Sequence, residues 1–155
     1  MDIERDESVE GKCSSTISFK IPIENLQEIA PDDIPRPMPL LLPEHREQLL
    51  ANGIASAKAG GADLGHPPVV KLFTPDAAAT WLLTELNPDW EDLAFGLCDL
   101  GFGCPEIGPV LISDIEELRG TLNLPVERDL WFEPDPGKPL SAYAEEAREK
   151  GRIQT

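Results

Sequence analysis

The sequence predicts an α+β fold: a curved antiparallel sheet of about five strands with flanking helices packed on one face. Four short apolar segments, 69–74, 80–86, 93–100 and 107–113, follow one another with Pro, Asn, Asp or Gly turns between them, the pattern of a meander. A fifth segment, 126–132, alternates apolar and charged residues. Helical spacing and helix-end residues bracket this set on both sides. The chain has 155 residues, 41% of them hydrophobic and 27% charged, enough for one domain with a core. Aromatics are only 6%, so the core is expected to be aliphatic.

The first expected element is a tail over 1–37. Residues 1–33 hold nine acidic and three basic side chains, and 30–39 contain four prolines, which no helix or central strand accommodates. The tail reads as flexible and proline-rich, with 18–23 as its one edge-strand candidate. The single domain is expected over 38–155.

Pro43–Lys58 reads as a helix, with Pro in its first turn, acids near its start and Gly60-Gly61 beyond its end. Its expected apolar stripe is Leu42, Leu49, Leu50, Ile54 and Ala57. After the meander, Ser113-Asp114-Ile115-Glu116 has the form of a capping box opening a short helix over 114–119. The strand over 126–132 places Arg128 on one face, with Glu127, Asp129 and Trp131 on the other. A closing helix over 141–150 turns Leu140, Tyr143, Ala144 and Ala147 inward, with Gly151 past its end.

The formal charge is −16, from 29 acidic and 13 basic residues. Such a chain repels phosphate backbones and anionic lipids, which disfavours direct nucleic-acid binding and membrane association. No apolar run approaches membrane-spanning length, and the acidic first residues do not resemble a secretory signal. Three cysteines, with Cys98 and Cys104 inside apolar segments, fit reduced thiols. A cytoplasmic protein is expected.

Within this frame Phe73-Thr74-Pro75-Asp76, Thr80-Trp81-Leu82-Leu83-Thr84-Glu85, Phe95-Gly96-Leu97-Cys98-Asp99-Leu100-Gly101 and Leu124-Pro125-Val126-Glu127-Arg128-Asp129-Leu130 form a specific combination. It resembles the bacterial domain of unknown function 2958 family, small proteins of plasmids, phages and integrative elements. The resemblance covers about residues 38–153 and leaves the tail outside. It implies no activity, catalytic residue or cofactor.

Candidate site residues therefore come from the chain itself. Between Asp63 and Glu133 fourteen acids face three basic residues, and Glu85, Asp99, Glu127, Asp129 and Glu133 sit in or beside strands. Either they form a solvated acidic face, or some converge as a divalent-metal or acid/base site. Arg128 calls for a carboxylate partner, which Glu85 or Asp99 could supply. Zinc-type Cys-x-x-Cys pairs, a G-x-S-x-G elbow and a phosphate loop are missing, so no catalytic residue, metal or cofactor is expected. Trp81, Trp90, Trp131 and Phe132 could stack bases, but no basic groove accompanies them.

The leading functional expectation is a non-catalytic acidic accessory protein of mobile genetic elements. It would act by protein–protein contact with a basic-surfaced partner, with nucleic-acid mimicry as its sharper form. Its candidate surface comprises Asp76, Trp81, Glu85, Asp99, Glu127, Arg128 and Asp129. The rival readings are a metal-assisted hydrolase using sheet carboxylates, with Asp76, Glu85 and Asp99 as candidates, and single-stranded DNA binding.

Overall fold

The structure, a computed structural model, describes residues 38–155; the expected tail over 1–37 lies outside them. Strands β1 (Val70–Phe73), β2 (Thr80–Asn87), β3 (Trp90–Asp99) and β4 (Glu106–Leu111) form the predicted antiparallel meander. β5 (Glu127–Arg128) returns to the free side of β1, giving the order β4-β3-β2-β1-β5. Helices α1 (Pro43–Lys58), α2 (Ile112–Glu117) and α3 (Leu140–Lys150) complete the α+β arrangement.

The helices cover both faces of the sheet, which corrects the expectation of one. β2 carries apolar side chains on either face, so neither can remain open to water. Trp81 and Leu83 join Leu49 of α1 and Ile112 and Ile115 of α2 in one cluster. Leu82 and Leu97 pack instead with Leu140, Tyr143, Ala144 and Ala147 of α3. A bulge between Leu83 and Glu85 changes the alternation, so Leu86 sits with Trp81 and Leu83, not with Leu82.

That bulge also decides how α1 docks. The buried face of α1 is Leu49, Asn52, Gly53 and Ser56, while Ile54, placed in the stripe by sequence, is 41% exposed. The Asn52 amide donates to the Thr84 carbonyl at 2.8 Å, satisfying a main-chain acceptor at the bulge. The Ser56 hydroxyl donates to Glu85 Oε1 at 2.7 Å. Gly53 permits the close approach, since a Cβ there would lie 1.9 Å from the Leu86 carbonyl oxygen.

Two further boundaries differ from the sequence reading. α2 begins at Ile112, and its first turn is held from outside the helix: Asp92 of β3 accepts both the Ser113 N–H at 2.9 Å and the Ser113 hydroxyl at 2.7 Å. β5 is two residues long where 126–132 was expected. The Asp129 carboxylate accepts the Trp131 N–H at 2.9 Å, an Asx turn that ends the strand.

Cys98 packs half-buried against the α1-side cluster and is a free thiol. Burial, reinforced by the negative charge of Glu106, pushes its thiol up to about 12. Cys104 lies exposed in the β3–β4 turn, which corrects the reading of an interior cysteine. Among the described residues no helix is long and apolar enough to cross a membrane.

Candidate functional site

The sequence-derived candidates occupy separate parts of the fold, and two of them line a common groove. Trp81 is 3% exposed in the α1-side core, so it cannot stack on a base. Asp76, in the β1–β2 turn, organises the loop before β5. Its Oδ2 accepts the N–H groups of Leu122 at 2.6 Å and Leu124 at 3.3 Å, and its backbone carbonyl accepts the Thr121 hydroxyl at 2.8 Å. Oδ1 is buried without a hydrogen bond, pressed where any side chain on Gly120 would fall.

Arg128 pairs with neither Glu85 nor Asp99. Its guanidinium donates to the Pro39 carbonyl at 2.6 Å, tying the segment before α1 to the sheet edge. The partnered carboxylate of β5's vicinity is Asp129, which meets Lys71 Nζ at 3.0 Å. Alternation explains the exchange: Val70 and Leu72 point to the α1-side core, so Lys71 emerges on the opposite face, the one Asp129 shares. Glu127 is exposed.

Asp99 and Asp129 converge on a groove of about 550 Å³ over the α3-side face, lined also by Lys71, Phe73, Thr80 and Arg152. Asp99 is 2% exposed. Its Oδ1 accepts the Gly101 N–H at 2.9 Å and its Oδ2 the Ile153 N–H at 3.0 Å, which pins the chain beyond α3 to the end of β3. Partial burial raises the Asp129 carboxyl, but it is outweighed by the hydrogen bond from Lys71, the Trp131 N–H, the Lys71 charge and the Phe132 N–H. Asp129 is therefore held below the ordinary carboxylate range, ionised and locked to Lys71, an arrangement suited to electrostatic contact rather than proton donation.

Sequence reasoning left Lys71 and Arg152 out of this groove and Ser56 out of the surroundings of Glu85. The place of Lys71 between two core residues was the available signal. Arg152 and Ser56 reach their sites through tertiary packing that no local pattern encodes.

The histidines have separate places. His45 Nδ1 accepts the Leu42 N–H at 3.3 Å at the start of α1. Burial and the charge of Arg128 lower its pKa, with Glu44 opposing. His66 lies in the loop before β1, where its carbonyl accepts the Leu140 N–H. Among the described residues no three His, Cys, Asp or Glu side chains group as a metal site would require.

The quoted motifs thus perform recognisable structural tasks: Thr74 closes the β1–β2 turn through Ala79, Asp76 holds the loop before β5 and Asp99 anchors the chain after α3. The model of the family described as "Protein of unknown function (DUF2958)" matches residues 40–154. The chain belongs to this family. In this DUF2958 protein the matched span opens at Leu40, already buried in the core, and takes in every described helix and strand. No curated protein and no solved structure matches the chain.

Proposed function

We propose that this DUF2958 protein is a non-catalytic module that binds another protein through its acidic surface, as an accessory of mobile genetic elements. The observation that carries the reading is Trp131, 91% exposed beside Leu130, itself 60% exposed. A few residues, enriched in Trp, Tyr and Arg, carry most of the energy at protein interfaces, and adjacent exposed apolar side chains mark surface that a partner can cover. Glu127, Asp129, Glu133 and Asp135 surround this turn in the chain. Its complement is an apolar pocket ringed by Lys and Arg.

The formal charge of −16 extends this logic to nucleic-acid mimicry: the partner's basic surface is one that otherwise holds phosphates. The test is affinity capture from nuclease-treated host lysate with the wild-type chain and Trp131→Ala, followed by a salt titration. The reading expects a basic-surfaced partner whose capture weakens with salt and is lost in the variant. Trp131→Ala should retain wild-type stability within about 0.5 kcal/mol, as exposed substitutions do. Capture that survives Trp131→Ala, or that ignores salt, refutes the proposal.

A further inference from the structure

A second groove, of about 360 Å³, lies between the C-terminal turns of α1 and the β2–β3 hairpin. Leu93, Phe95 and Pro109 give it apolar walls, Asp63, Glu85 and Asp89 supply carboxylates, and no Lys or Arg is among its lining residues. The groove exists because of the close α1 approach that Gly53 permits and because the bulge carries Glu85 to the foot of the helix. Glu85 is held in place: the Ser56 hydroxyl occupies one acceptor position of Oε1 at 2.7 Å, and a carboxylate offers about four such positions. Phe95, at 40% exposed, leaves apolar surface open beside it.

We propose that this groove docks a segment of a partner protein that carries an arginine next to an aliphatic side chain. The guanidinium would meet Glu85, with Asp63 and Asp89 completing a negative rim, while the aliphatic neighbour covers Phe95 and Leu93. Charge complementarity selects this occupant. Three carboxylates with no counter-charge in the lining repel acidic or phosphorylated segments, and the apolar walls favour a peptide over a small hydrated cation. A planar guanidinium also matches a fixed carboxylate better than an ammonium does.

The site is separate from Trp131 and stands or falls without it. The test is titration of the ¹⁵N-labelled full chain with an acetylated, amidated peptide of alternating leucine and arginine, and with its leucine–glutamate counterpart. Amide shifts at Ala57, Glu85, Leu93 and Phe95 that saturate with the arginine peptide alone are the expected result. Glu85→Gln should weaken binding about ten-fold, the loss of one charge-assisted hydrogen bond. Asp89→Asn, which leaves the Ser56–Glu85 contact intact, should weaken it more modestly, and Trp131→Ala should leave it unchanged. Shifts located elsewhere, equal binding of the glutamate peptide, or undiminished affinity in both carboxylate variants overturns the proposal.

Discussion

Replacing Gly53 with alanine separates helix propensity from packing. In an isolated helix the change gains about 1 kcal/mol, because alanine loses less backbone entropy than glycine. In this fold the new methyl would stand 1.9 Å from the Leu86 carbonyl oxygen, more than an ångström inside ordinary contact. The clash is with main chain of a central strand, so α1 must lift away from β2. Overpacking of this kind costs about 1–3 kcal/mol. The lift also stretches the 2.8 Å Asn52–Thr84 hydrogen bond, and an orphaned buried acceptor costs about 1–3 kcal/mol more. Set against the propensity gain, the net loss is about 3 kcal/mol, or roughly 10 °C in Tm for a domain of this size. Urea and thermal unfolding by circular dichroism measure it, with exposed Ala51→Gly as the propensity control. A Gly53→Ala variant as stable as wild type, or more stable, refutes the account of α1 docking.

Other outcomes follow from the same contacts. Because the folded-state pKa of His45 lies below 6.5, its contribution to stability is complete above that pH and is lost as pH falls through the lower folded value. Melts across this acidic window should show the slope in wild type and a flatter one in His45→Gln; identical slopes would sink the argument. With its thiol pushed up to about 12, Cys98 should resist iodoacetamide in the native protein and react once urea unfolds it, as intact-mass labelling would reveal. Glu85→Gln and Arg128→Met should be additive within about 0.5 kcal/mol, since each side chain has its own partner; larger coupling in a double-mutant cycle would restore the pairing read from sequence.

The meander was legible because Pro75-Asp76, Asn87-Pro88-Asp89 and Gly101–Pro105 punctuate it, and such residues act locally. The apolar residues on both faces of β2 also announced that the sheet needs two covers, although the expectation assigned helices to only one face. What local pattern concealed was the phase of α1. Asn52, Gly53 and Ser56 look like a polar face until a bulged strand 32 residues from Asn52 presents a carbonyl that needs a donor. The candidate site was only partly readable for the same reason. Alternation put Glu127 and Asp129 on one face, but the partner of Asp129 is set by which strand lies beside β5. Asp99 was singled out as a candidate for chemistry, and its two backbone hydrogen bonds come from residues brought together only by the closing of the chain after α3.

The two margins of the sheet bear on how this protein can meet others. At one margin β4 includes Pro109, which offers no N–H to a neighbour. At the other, β5 provides two residues before the Asp129 turn carries the chain away. Among the described residues neither margin presents a long regular ladder onto which a foreign strand could be added. Recognition must therefore be read from side chains, so a partner's specificity resides in the identity of its residues rather than in any segment able to become extended. The same bluntness discourages copies of this chain from stacking edge to edge in a crowded cell.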